Sequence, residues 1–324
     1  MPAISHLFFT HAARAWGSAA GTGNDGVLVR KRGIWYNEPM ILFALFAFLF
    51  GACMGSFLNV VILRMPKEES LWRRGSHCAS CGTPIAPYDN IPLVSYLVLR
   101  GKCRSCGARF SAQYFIVELL TALVFAATFW HRFGGVVPVL MLGQYPAWAV
   151  LKPALLPWVA DITLMSCLIG LTWIDARHFV IPLEITVTGT LIGFAVTAWY
   201  PAFRYEETSW FAIGAAGMAM ILGAGLLAVV RWLGSLYYKR EALGLGDIHL
   251  MVMLAMFLNW PEILLVIVLS SVLGSIGGIT MRIIHRQGTW RFEIPYGPYI
   301  AAAGALVYFW GHRVIEWYKG LCGL

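Results

Sequence analysis

Charge is what this chain has least of. Asp, Glu, Lys and Arg make up 12% of its 324 residues, about half the roughly 25% of a soluble domain. That scarcity, set beside a 59% hydrophobic content, excludes a water-soluble globular protein and indicates a multi-spanning membrane protein. No G-x-S-x-G occurs and the eight histidines are dispersed, so a Ser-His-Asp hydrolase has no support. No convincing internal repeat is present, which speaks against a transporter built from repeated halves. A signal-peptide layout is missing ahead of the first apolar run. The net charge of +8 does not call for nucleic acid; in a membrane protein it reflects basic loops held on the cytoplasmic side.

What is present is a series of apolar runs. Residues 1–38, with Ala, Gly, Ser and the basic cluster Arg30-Lys31-Arg32, read as a poorly ordered arm. Apolar segments then run over residues 40–62, 114–130, 155–174, 185–199, 211–233, 247–258, 263–284 and 298–310. The expected fold is an all-α polytopic membrane protein of about eight transmembrane segments. The sixth is too short to cross ~30 Å of hydrocarbon as a straight helix. Three regions follow: the arm 1–38; N-terminal spans over 39–130 with a polar insert at 64–113; and a membrane domain over 131–324. Within the last, 131–157 is broken by prolines and glycines and reads either as a loop with an interfacial piece or as a short extra helix. Placing the polar insert inside puts 15 basic residues on that side against 9 on the other, the bias expected of the cytoplasmic side.

The insert carries Cys78-Ala79-Ser80-Cys81-Gly82 and Cys103-Arg104-Ser105-Cys106-Gly107, two copies of one pattern with 21 residues between the inner cysteines. A C-x-x-C turn presents two thiolates to one tetrahedral site, and the following glycine permits the tight turn behind the sulfurs. Two such turns complete a four-thiolate zinc site with no open position, hence structural and not catalytic. A reducing cytoplasm argues against the disulfide alternative. Cys53, Cys167 and Cys322 are scattered and read as packing residues.

The remaining chemistry lies in two acids. Gly244-Leu245-Gly246-Asp247 sets a carboxylate behind two glycines at the start of an apolar run, and Asp175 closes another run in Ile174-Asp175-Ala176-Arg177-His178-Phe179-Val180-Ile181-Pro182. Asp247 alone is also compatible with a tight turn and an Asp N-cap. With the cysteine insert inside, however, both emerge at the cytoplasmic face, where Asp161 does not. Two aspartates held close cannot both ionise, so one keeps its proton while the other activates a water, the chemistry of an aspartyl protease. His249 is placed either to tune this pair or to contact lipid headgroups.

These residues resemble the G-x-G-D aspartyl peptidases of the type IV prepilin (leader) peptidase family. Three further stretches carry the likeness: Gly55-Ser56-Phe57-Leu58-Asn59-Val60-Val61-Ile62-Leu63-Arg64-Met65-Pro66, Val117-Glu118-Leu119-Leu120-Thr121, and Ile294-Pro295-Tyr296-Gly297-Pro298. Together they cover most of 40–310 in the family's order. The resemblance implies a bacterial inner-membrane enzyme with Asp175 and Asp247 as the catalytic dyad. It would cleave the basic leader of prepilins and pseudopilins at the cytoplasmic face, between Gly and an apolar or aromatic residue. It also implies, for members with four cysteines, N-methylation of the new terminus with S-adenosylmethionine; no Gly-rich loop locates that methyl donor. The chain departs from the family at His249, where Lys is usual, and at Leu183, where Asp or Asn is frequent. Two alternatives stand beside this reading: another G-x-G-D intramembrane protease of the presenilin kind, and a proton-coupled transporter using both aspartates as relay groups. The presenilin kind carries a Pro-Ala-Leu motif after its aspartates, whereas Pro153-Ala154-Leu155 precedes both acids here.

Overall fold

A computed structural model describes residues 26–71, 75–134, 136, 147–204, 206–239, 243–285 and 295–323. Among these the long elements are helices: α1 (Gly26–Arg64), the short α2 (Val94–Val98), α3 (Gln113–Phe133), α4 (Ala147–His178), α5 (Leu183–Trp199), α6 (Ser209–Tyr238), α7 (Leu245–Ala255), α8 (Trp260–His285) and α9 (Gly297–Cys322). Leaving α2 aside, they correspond one to one to the eight apolar runs. Five are long and apolar enough to cross a membrane, while α5 and α7 are shorter apolar helices. No strand occurs among the described residues; pairing is confined to two isolated bridges in the cysteine insert.

Three boundaries differ from expectation. Helix α1 begins at Gly26, inside the stretch read as a poorly ordered arm; residues 1–25 lie outside the described residues. Helix α4 starts at Ala147 and runs through Pro153 and Pro157. The C-terminal part of the broken segment is therefore helical, whereas 137–146 lies outside the described residues. Proline is tolerated inside membrane helices when neighbours satisfy the freed carbonyls. Helix α9 continues to Cys322, beyond the apolar stretch that ends at Trp310.

Helices α1 and α3 pack through Gly51 and Gly55, a small-xxx-small spacing that lets backbones approach closely. A Cβ on Gly55 would lie 2.6 Å from the Glu118 Cα, and one on Gly51 2.8 Å from the Ala122 Cα. One turn further along α1, the Asn59 amide donates to the Tyr114 carbonyl at 3.0 Å. Helix α4 packs onto this pair through a buried cluster of Leu58, Ile62, Val117, Ile169 and Ile174. At the far end the Arg132 guanidinium grips both oxygens of Asp161, at 2.5 and 2.9 Å. That fixes the last turn of α3 to α4.

Helix α7 is the centre of the second half. Leu250, Met251, Met253, Leu254 and Ala255 are completely buried, as befits a helix that is hydrophobic all round. Its eleven residues span about 16 Å, and its C-terminal end lies inside the protein, where Met256, Phe257 and Leu258 are buried. At the C-terminal end the carbonyls need donors. The buried Arg204, from the 3-10 turn Pro201–Arg204, supplies two: it donates to the carbonyls of Ala255 at 3.0 Å and Leu258 at 2.9 Å. Thr197 donates to Met256 at 3.2 Å. Burial draws Arg204 down to about 10, which leaves it cationic at neutral pH.

Arg204→Met should therefore leave two buried carbonyls unpaired, at a cost of about 1–3 kcal/mol each. Thermal unfolding in detergent should show a clearly lowered Tm, partly recovered by Arg204→Lys. A Tm unchanged in Arg204→Met would mean that the clamp carries no stability.

Candidate functional site

The chain segments around the two acids meet at one end of the bundle. Asp175 sits in the last turn of α4 and is 6% exposed. Helix α4 stops just beyond it because Phe179 takes a left-handed φ of 55° and donates its N–H to the Asp175 carbonyl at 3.0 Å. Extended backbone at Pro182 then opens α5. Asp247 lies in the first turn of α7 with Gly244 as the N-cap and is likewise 6% exposed. Its carboxylate accepts the Gly244 N–H, the reach-back of a third-position acid to its cap. The Asp175 Oδ2 accepts the Gly297 N–H at 3.0 Å. Two helix N-termini, those of α7 and α9, thus converge on two carboxylates, an arrangement whose dipoles suit negative charge. Asp175 and Asp247 interact electrostatically with each other.

The glycines make this convergence possible. A Cβ on Gly297 would stand 2.6 Å from the Asp175 Oδ2 and 3.0 Å from the Ile181 Cδ1; one on Gly246 would stand 2.6 Å from the Ile181 Cβ. Ile181 is therefore a wedge in the turn between α4 and α5, packed on the first turns of both α7 and α9. Tyr296, the N-cap of α9, shares a hydrogen bond with Ser270 on α8 at 2.8 Å, which fixes where the Gly297 N–H points.

The structure thus brings Asp175 and Asp247 together, as expected from their shared membrane face. His249 does not join them. Two residues are about 200° apart around a helix, and His249 lines an apolar recess with Leu183, Thr186, Val187 and Leu191 on the α5 side. Two contributors belong to the sequence motifs without a role being legible there: the Gly297 N–H and the Ile181 wedge. The only signal for either is glycine or a β-branched residue next to proline at a turn.

The four insert cysteines form a second site. Cys78, Cys81, Cys103 and Cys106 place their sulfurs within 4.8 Å of one another, with Cys78 and Cys106 at 3.9 Å. A tetrahedral zinc with ~2.3 Å bonds to sulfur sets its ligands about 3.8 Å apart, and a disulfide requires ~2.05 Å. The spacing fits the metal. The two halves are one knuckle used twice. Cys78 and Cys103 donate their N–H groups to Thr83 and Ala108 at 2.9 and 2.8 Å. Gly82 and Gly107 take φ of 70° and 71°, the left-handed turn that glycine adopts without strain. Asp89 and Arg104 brace the module with a bidentate pair at 2.7 and 2.6 Å, and Arg104 holds the Asp89 carboxyl below its usual range. Hydrogen bonds from Thr83, first its hydroxyl and then its backbone, pull the Cys81 thiol down to about 6. Cys106 is lowered by its bond with the Ala108 backbone, but desolvation and the neighbouring thiols outweigh this and push it up to about 11. Four thiols crowded in this way do not ionise together without a cation.

Against known proteins, residues 49–132 match the Bacterial Peptidase A24 N-terminal domain, and residues 162–279 match the Type IV leader peptidase family. A prepilin leader peptidase/N-methyltransferase of Myxococcus xanthus is 40% identical over 74% of this chain and 63% of its own length. Proteins of the same description from Aeromonas salmonicida and Pseudomonas aeruginosa are each 32% identical. They cover 86% and 87% of this chain and 94% and 96% of their own lengths. No solved structure matches. The chain belongs to the type IV leader peptidase family.

Of the four insert thiols, Cys81 should react first in metal-stripped protein. At pH 7 it lies above its pKa of about 6 and is mainly thiolate, the reactive form; lowering the pH through 6 protonates it and slows the reaction. Iodoacetamide labelling read by mass spectrometry should modify Cys81 ahead of Cys106 at pH 7, with the difference shrinking at pH 5. Equal labelling of the two at pH 7 would contradict the thiol environments described above.

Proposed function

We propose that this leader peptidase family member is a membrane aspartyl endopeptidase. It removes the leader of type IV prepilins and pseudopilins at the cytoplasmic face of the bacterial inner membrane, with Asp175 and Asp247 as the dyad. The observation that carries the reading is the pair itself: two buried, mutually interacting carboxylates, each held by one backbone N–H at a helix N-terminus. Of two aspartates in such a place, one keeps a proton and hydrogen-bonds the scissile carbonyl. The other takes a proton from the attacking water. The tetrahedral adduct collapses as the C–N bond breaks and the aspartic acid that took the water's proton passes it to the leaving amine nitrogen. Asp175 keeps the Gly297 N–H throughout, so its carboxyl holds one orientation while its proton comes and goes.

The similarity to prepilin leader peptidase/N-methyltransferases supports prepilins as substrates and a second, N-methylating activity; the family resemblance implies that this methylates the new terminus with S-adenosylmethionine as the methyl donor. The excess of basic residues on the side of the cysteine insert supports the cytoplasmic placement. Pro153-Ala154-Leu155 lies near the opposite end of α4, about 30 Å from Asp175 by helical rise, so it adds nothing to a presenilin-like reading. Family membership leaves proton-coupled transport without a supporting observation. Zinc held by Cys78, Cys81, Cys103 and Cys106 would tie the two knuckles together and take no part in cleavage.

Asp175→Asn and Asp247→Asn should each reduce leader cleavage by at least about 10³-fold, the scale of losing an acid–base partner. Gly297→Ala, whose methyl would collide with the Asp175 carboxylate, should lose most activity while remaining folded. The measurement is conversion of a purified prepilin by detergent-solubilised enzyme; near-normal cleavage by either Asn variant would overturn the dyad. Separately, the purified protein should hold about one zinc per chain. Cys78→Ser with Cys103→Ser should remove it while part of the cleavage survives. Metal content measured by mass spectrometry decides this.

A further inference from the structure

A second polar site, unused by the dyad, lies where α1 and α3 cross. Glu118 is 8% exposed, Asn59 2% and Gln113 5%. An ionisable side chain within a membrane helix marks a functional site by default. Glu118 accepts the Leu93 N–H at 2.8 Å and a hydrogen bond from Ser56. A carboxylate has about four acceptor positions, so capacity remains. The Asn59 amide is oriented by its donation to the Tyr114 carbonyl, which leaves its Oδ1 as an acceptor. That Oδ1 and the Gln113 Nε2 are buried and have no hydrogen-bond partner among the described residues. Buried polar atoms without partners are rare in folded proteins. Here two occur in the same helix crossing as a buried carboxylate.

The cluster is linked to α4 near Asp175 through its apolar neighbours. Leu58 and Val117, the neighbours of Asn59 and Glu118 in sequence, share a buried cluster with Ile174, the neighbour of Asp175. Tyr114 interacts electrostatically with Arg177, two residues past Asp175. The free groups are acceptors on Asn59 and Glu118 and a donor on Gln113. That set complements the end of a polypeptide: an ammonium offers its protons to the two acceptors, and the first carbonyl accepts from the donor.

We propose that Ser56, Asn59, Gln113 and Glu118 form the pocket that receives the free N-terminus released by cleavage, with Glu118 as the group that accepts its proton during N-methylation. The inference rests on the methylation reading given above. In the step, the ammonium of the new terminus loses a proton to the Glu118 carboxylate. The freed lone pair then forms an N–C bond to the methyl of the sulfonium donor. The C–S bond breaks, and its electrons stay on sulfur as a neutral thioether. Asn59 and Ser56 position the amine and the carboxylate, and Gln113 holds the first carbonyl.

The test uses the full-length protein in detergent and two synthetic decapeptides, apolar with Phe first, one with a free amine and one N-acetylated. Wild type should bind the free amine at least tenfold more tightly. Glu118→Gln should bring the two affinities within twofold while still cleaving a prepilin at close to the wild-type rate. Methyl incorporation from S-adenosylmethionine should then fall at least tenfold in the same variant. If Glu118→Gln also lowers cleavage, Asn59→Ser takes its place and is judged by the same affinity ratio. A wild type that binds both peptides equally, or a variant that keeps the tenfold preference, overturns the pocket. Wild type that prefers the free amine yet transfers no methyl counts against the methylation reading and leaves the pocket standing.

Discussion

A helix that ends inside an apolar protein has to find partners for its unpaired carbonyls, and α7 is such a helix. Leu250, Met251 and every residue from Met253 to Leu258 are buried, so the C-terminal carbonyls are cut off from water. The C-terminal carbonyls are met by Arg204 and Thr197. The N-terminal end is met by its own Asp247, which reaches back to Gly244. Both solutions place charge where an apolar sequence would otherwise have none. One charge is a clamp, and the other stands beside Asp175. The depth of Asp247 in the protein is set by a rod about 16 Å long anchored at its far end by a buried guanidinium.

The other acid is positioned by a different device. Asp175 is carried to the end of α4 and stopped there by the left-handed Phe179; the chain then turns so that Ile181 fits between Gly246 and Gly297. Any side chain on either glycine would push Ile181 out and separate the helix starts that hold the pair. Position along α4 is in turn fixed from two sides: Ile174 in the cluster with α1 and α3, and Asp161 in the grip of Arg132. That ion pair joins the last residue of the segment matching the N-terminal family domain to the residue just before the one matching the peptidase family. The two halves of the chain meet at both ends of α4, with polar contacts at one end and the dyad at the other.

Much of this is legible in the sequence because it is written in local patterns. Apolar runs of membrane length, and one conspicuously too short, mark the eight helices. C-x-x-C-G written twice marks the knuckles, down to the left-handed glycines. The charge bias brings Asp175 and Asp247 to one face although 71 residues separate them. What is illegible depends on contacts between distant segments. Arg204 counts only as one basic residue in a loop, and nothing near it in sequence foretells the Ala255 and Leu258 carbonyls. His249 looks close to Asp247 by count, but helical geometry turns it to the α5 side. The start of α1 at Gly26 is hidden because Gly, Pro and charged residues between 26 and 39 weaken the apolar signal that marks the span.

The crossing of α1 and α3 shows why a polar cluster can survive at this depth. Gly51 and Gly55 bring the backbones so close that the crossing excludes large side chains. Polar groups one turn away are then held apart by the helices themselves and cannot collapse onto one another. Asn59 satisfies its amide nitrogen on Tyr114 but keeps a bare oxygen, and Glu118 uses part of its capacity to dock Leu93 from the cysteine insert. A membrane helix pair whose only task was to pack would gain by replacing these groups with apolar ones. Docking Leu93 explains one bond to Glu118; it does not explain a free oxygen and a free amide nitrogen nearby. Through Leu93 the cysteine insert also reaches this cluster directly, whereas Asp175 and Asp247 are held by Gly297, Gly244 and Ile181 on other segments. A change in the insert is therefore felt at the α1–α3 cluster before it is felt at the two aspartates.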